Sequence, residues 1–75
     1  MDTSGIFYFT THAKRRMKER KISEEWVRET IYNPEEVSQG DDGETIAYRR
    51  FVKTKVRIAY ISLPDKIKIL TVMKN

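Results

Sequence analysis

Ser23-Glu24-Glu25-Trp26-Val27-Arg28-Glu29-Thr30-Ile31-Tyr32-Asn33-Pro34 is the stretch on which the fold turns. Ser23 suits a helix N-cap, because its hydroxyl can accept from an early backbone N–H that has no partner within the helix. Glu24 and Glu25 follow in the first turn, where the helix dipole favours negative charge. Trp26, Val27, Thr30 and Ile31 recur at i, i+1, i+4 and i+5 and form one apolar face, which reads as core. Asn33-Pro34 then stops the helix, since the residue before proline is pushed out of the α region. On the N-terminal side of this stretch the pattern stays helical; beyond it the pattern is that of strands.

Reading back from Ser23, Lys21-Ile22 is a short connection. His12 to Arg20 has no breaker and is rich in helix formers. Thr10 or Thr11 can cap it, and its apolar stripe is thin, Ala13 and Met17 alone. Ile6-Phe7-Tyr8-Phe9 has strand propensity, and the small polar residues 1–5 are expected to fray. Reading forward from Pro34, residues 36–39 are a short strand candidate and Gly40-Asp41-Asp42-Gly43 is a turn signal. Residues 45–52 and 55–63 are the next strands, with a turn expected at Lys53-Thr54. Alternation puts Ile46, Tyr48 and Arg50 on one face of the first, opposite Ala47, Arg49 and Phe51. In the second it sets Val56, Ile58 and Tyr60 against Arg57, Ala59 and Ile61. Pro64-Asp65-Lys66 makes a further turn, and the β-branched run 67–73 reads as an interior strand. The order β-α-α-β-β-β-β implies one α+β domain over residues 1–75, with two N-terminal helices packed on one face of a twisted antiparallel sheet.

The chain has 75 residues, of which 39% are apolar and 35% charged. That supports one small core and excludes a disordered chain. Without cysteine there is no disulfide framework, no thiolate zinc site and no Cys nucleophile. The single histidine and the adjacent pairs Glu24/Glu25 and Asp41/Asp42 match no metal-ligand spacing, so neither metal nor cofactor is expected. With three glycines, two of them flanking a turn, there is no phosphate-cradling loop. No apolar run is long enough to span a membrane, and Met1 to Gly5 has neither the basic nor the apolar region of a signal peptide. A cytoplasmic protein with no membrane partner is the expectation.

The net charge of +4 points only generally to an anionic partner. Its distribution says more. Residues 11–21 hold Lys14, Arg15, Arg16, Lys18, Arg20 and Lys21 against Glu19 alone, a local charge of +5. A solvated helix face usually mixes signs, so phosphate contact is one reading, with Arg15 and Arg20 among the contacts. A solvated face balanced by acidic neighbours is the other. His12, Arg16 and Arg20 are four residues apart and lie in one row beside the Ala13/Met17 stripe, which predicts a place at the edge of the core, out of bulk water. Histidine titrates near neutrality and could act as general acid or base, with an arginine steadying a phosphorane. The plainer alternative is a capping or core histidine bonded to backbone. A second basic cluster comprises Arg49, Arg50, Lys53, Lys55 and Arg57, with Tyr48 and Phe51 nearby. It reads either as a stacking surface for RNA or as an ordinary solvent face.

Thr10, His12, Ala13, Arg16, Met17, Arg20, Ile22 and Ser23 together resemble the T-x-H-A-x-x-R-M-x-x-R-x-I-S signature of a bacterial and archaeal family called domain of unknown function 4258. Ile69-Leu70-Thr71-Val72 is similar to that family's last strand. Members commonly carry glycine where Lys21 stands, so the turn after the first helix is expected to differ slightly here. The resemblance implies a fold like the small RelE/ParE-type toxins and related compact ribonucleases. Val56-Arg57-Ile58-Ala59-Tyr60 is similar to the Y-R-x-x-Y strand of those toxins, with Val56 in place of the first tyrosine. It implies that Arg57 lines a cleft and that Lys74 stands for a basic group after the last strand.

Three functions compete on this reading. The first is a metal-independent ribonuclease in which His12 is acid or base, Arg16 and Arg57 hold the scissile phosphate, and Tyr48 or Tyr60 stacks a base. An antitoxin or other acidic protein would be its partner. The second is a non-catalytic nucleic-acid-binding module using Arg15, Arg20, Tyr48, Arg49, Lys55, Tyr60 and Lys74. The third is an interaction module that pairs through a sheet edge with another protein or as a homodimer.

Overall fold

The structure, a computed structural model, describes residues 6–74, so the expected fraying of residues 1–5 lies outside the described residues. The elements are β1 (Phe7–Phe9), α1 (Thr11–Arg20), α2 (Glu24–Tyr32), β2 (Glu36–Gln39), β3 (Thr45–Phe51), β4 (Thr54–Ser62) and β5 (Ile67–Lys74). Ser23 caps α2 as its sequence implies, its hydroxyl accepting from the Trp26 N–H at 3.1 Å. The helix ends at Tyr32, one residue short of the Asn33-Pro34 stop.

Of the two threonines, Thr10 caps α1, and it does more than cap. Its hydroxyl accepts from the Ala13 N–H at 3.1 Å and donates to the Leu70 carbonyl at 3.2 Å. Its own N–H donates to the Ile69 carbonyl at 3.2 Å. The start of α1 is therefore pinned to β5. Ala13 is fully buried at this contact, where a larger side chain would push the helix off the sheet.

At the other end of α1, Lys21 adopts the left-handed conformation, φ 57° and ψ 47°. The Ile22 N–H reaches back to the Met17 carbonyl at 2.9 Å, and the Lys21 N–H to Lys18 at 3.4 Å. The turn expected to differ for want of glycine thus keeps the glycine geometry. Its hydrogen bonds and the burial of Ile22, with Met17 packed against the same core, outweigh a local cost of about 1 kcal/mol.

The five strands form one sheet in the order β1-β5-β4-β3-β2. β2 to β5 are an antiparallel meander, with β4 in the middle and β5 interior. The sheet is mixed, however, because β1 lies parallel to β5, Phe7 opposite Ile67 and Phe9 opposite Ile69. Alternation assigns side chains to faces but names neither the neighbour nor the direction of an edge strand, so an all-antiparallel sheet was the wrong extension of it. The β3–β4 turn also shifts, to Val52-Lys53, with Val52 at φ 55°.

Both helices cover one face. Ala13 and Ile22 from the α1 region and Val27 and Ile31 from α2 pack on Val56, Ile58, Ile67, Ile69 and Val72. The residues that alternate with these, including Tyr48, Arg57 and Met73, project from the other face, which carries no helix.

Candidate nucleic-acid interface

A cleft opens on the open face where β3, β4 and β5 lie side by side. Register places Tyr48 opposite Arg57, and Arg57 opposite Met73. With Lys55 and Lys74 these residues line an open cleft of about 110 Å³. That is smaller than a pocket for a drug-sized ligand, roughly 300–1,000 Å³, and suits a phosphate or the edge of one base. Arg57 is exposed and donates from Nη2 to the Met73 Sδ at 3.3 Å, a soft acceptor that orients the guanidinium without neutralising it. The Lys55 ammonium stands 4.9 Å from the centre of the Tyr48 ring and 3.3 Å from Glu36 Oε1. Three cationic residues and no carboxylate line it; Glu36, the cross-strand partner of Tyr48, stands next to it and pairs with Lys55.

The second basic cluster does not stay together. Lys55, Arg57 and Tyr48 share the open face. Arg49 lies on the covered face, where it closes the end of α2. Its Nη1 donates to the Asn33 carbonyl at 2.7 Å, its Nη2 is 3.9 Å from Glu29, and its guanidinium lies 5.4 Å from the Phe51 ring centre. Phe51 is itself stacked on Trp26 at 4.5 Å. Tyr60 is likewise on the covered face, half-buried against the core, and burial pushes its phenol pKa up from 10.0. Neither Arg49 nor Tyr60 therefore joins the cleft, because period-two alternation turns each away from Arg57. Lys74 does join it, as the last residue of β5 rather than as a residue beyond it.

On α1, Arg16 and Arg20 are half-buried, but His12 is exposed and neither a cap nor part of the core. The expectation that His12 sits at the core edge fails because Ala13 alone faces inward in the first turn. The residues behind the family resemblance divide cleanly. Thr10 and Ser23 cap helices, and Ala13, Met17 and Ile22 pack in or against the core. The side chains of His12, Arg16 and Arg20, like that of Arg15, make no hydrogen bond or ion pair to another described residue. The structure does not bring Arg57 to His12 and Arg16. α1 lies over the covered face, and Arg57 points from the open one.

Sequence reasoning did not reach Met73 or Glu36. Their roles depend on cross-strand register, and a bulge in β5 resets it, since Ala59 faces Thr71 while Tyr60 faces Ile69. Among the described residues no group of three or more His, Cys, Asp or Glu side chains could hold a metal ion, and no helix is long and apolar enough to cross a membrane.

Fold and site together define a small α+β protein with a half-covered sheet and a cationic, aromatic cleft on the open face. The chain belongs to the family described as Domain of unknown function (DUF4258), which it matches over residues 9–74. Comparison with curated proteins and with solved structures gives no match.

Proposed function

We propose that this protein binds RNA through the open face of its sheet, with Tyr48 stacking a base and Arg57, Lys55 and Lys74 holding phosphate. The observation that carries this reading is the cleft, three cations and one aromatic ring with no carboxylate in its wall. Cations release counterions from phosphates, and an aromatic ring stacks any base, so affinity with little sequence preference is the expected result. Labelled single-stranded RNA should bind, and binding should weaken steeply with salt. Arg57→Ala should lower affinity about tenfold, a loss of roughly 1.4 kcal/mol. Binding that is indifferent to salt and to Arg57 would reject the reading.

A ribonuclease of the RelE-like toxin type is the second reading. The exposed His12 beside Arg16, neither used by the fold, favours it. In that case the 2′-hydroxyl of the RNA attacks its own phosphate, His12 moves the proton, and the 5′-oxygen leaves. Arg57 does not share that phosphate, because the sheet separates it from α1. Cleavage in EDTA that disappears with His12→Ala while binding persists is the outcome this reading expects; intact RNA leaves the binding protein alone standing.

A further inference from the structure

The two edges of the sheet differ in charge. Residues 35–44 hold five of the eleven acidic residues and no cation. In the fold they are the edge strand β2 and the segments that flank it. The opposite edge differs in shape and in sign. β1 pairs only with residues 67–69 of β5. From Thr71 to Lys74 the outer side of β5 therefore has no strand beside it among the described residues. Met73, which orients Arg57, and Lys74, which lines the cleft, both lie on that stretch. The two hydrogen bonds from Thr10 to Ile69 and Leu70 start α1 at the same edge, which puts His12 in the adjoining helical turn, with Arg16 and Arg20 following in its row.

We infer that the cleft and the α1 row are two parts of one track, and that a single-stranded RNA passes from one to the other around the unpartnered edge of β5. This rests on the reading that the cleft binds RNA. A strand leaving the cleft meets carboxylates at the β2 edge, where Glu35, Glu36, Asp41 and Asp42 stand, and cations at the β5 edge. The stretch from Leu70 to Lys74 is about 13 Å long, so the step to the first turn of α1 is short. A duplex is too stiff to turn around an edge of this size; the persistence length of duplex DNA is about 150 base pairs. The partner is therefore a flexible single strand longer than the cleft itself.

The test compares a labelled uridine trinucleotide, a dodecauridylate and a blunt twelve-base-pair RNA duplex, about the site size of single-strand binders. The wild-type protein is set beside Arg16→Ala/Arg20→Ala. The dodecamer should bind more tightly than the trimer, and the double substitution should bring their affinity ratio towards one. The slope of log affinity against log salt for the dodecamer should fall by about 0.7 per arginine removed. Photocrosslinking from opposite ends of the dodecamer should label an α1 peptide from one end and a β4 or β5 peptide from the other. An unchanged ratio and slope, or the same dependence with duplex, would overturn the track while leaving the cleft in place. So would a dependence on Arg16 and Arg20 seen with poly-glutamate and not with RNA, which would assign the edge to an acidic protein segment. If neither oligonucleotide binds the wild-type protein, the cleft reading falls and the track with it.

Discussion

Lys21 and Val52 occupy backbone that suits glycine, at φ 57° and φ 55°. Left-handed geometry costs a residue with a Cβ about 1–2 kcal/mol, and a β-branched side chain tolerates it least. Val52 is also 91% exposed, so its side chain contributes no burial in return. Lys21→Gly and Val52→Gly should each stabilise the fold by about 1 kcal/mol, Val52 by the larger amount, which raises the melting temperature by roughly 4–8 °C for a domain of this size. Thermal unfolding of the two variants checks this, and a lower midpoint for either would contradict it. Tyr60 makes a different prediction. Its folded pKa lies above the 10.0 of the unfolded chain because burial disfavours the phenolate. The stability this confers is complete below pH 10 and is lost as pH rises through the folded pKa, since only the unfolded chain ionises freely. In Tyr60→Phe the alkaline fall of the melting temperature should be shallower than in the wild type, while the rest of the profile keeps its shape.

At the scale of elements, a cation at a helix C-terminus joins α2 to β3 beside the Trp26–Phe51 stack. Arg49 holds the Asn33 carbonyl and Glu29 with different nitrogens of one planar group, and lies over Phe51. Lysine has the charge without the fork. Arg49→Lys should therefore destabilise by about 1.5–3 kcal/mol, the range for a hydrogen bond to a charged group, which a urea titration would register as a lower midpoint with an unchanged slope. The α1–β5 contact adds one hydroxyl to the burial of Ala13. Thr10 serves both the helix and the strand, and this is why β1, α1 and β5 meet at one point.

Across the whole molecule, one core joins both helices to β4 and β5. Unfolding should therefore be a single transition. Trp26, the only tryptophan, is stacked on Phe51 and reports the α2–β3 contact. Its fluorescence and the helical circular dichroism should change together on heating; separate midpoints would mean that α1 and α2 come away from the sheet independently. The sheet keeps core and cleft apart: its covered face carries the core and its open face carries the cleft.

The order of elements, the Ser23 cap, the stop at Asn33-Pro34 and the two faces of β3 and β4 were legible in the sequence, because each depends on neighbours within a few positions. The basic helix and the family were legible for the same reason, since His12, Arg16 and Arg20 form a local row. Only the tertiary structure decided that β1 runs parallel beside β5, and that Arg57 meets Met73 and Tyr48 while His12 stands on another face. Only it turned Arg49 and Tyr60 to the covered side as working parts of the fold. The physical reason is common to all of these. Side-chain periodicity is a local property of the chain, whereas the choice of neighbouring strand, its direction and its register come from long-range hydrogen bonds and packing, which no short stretch of sequence contains.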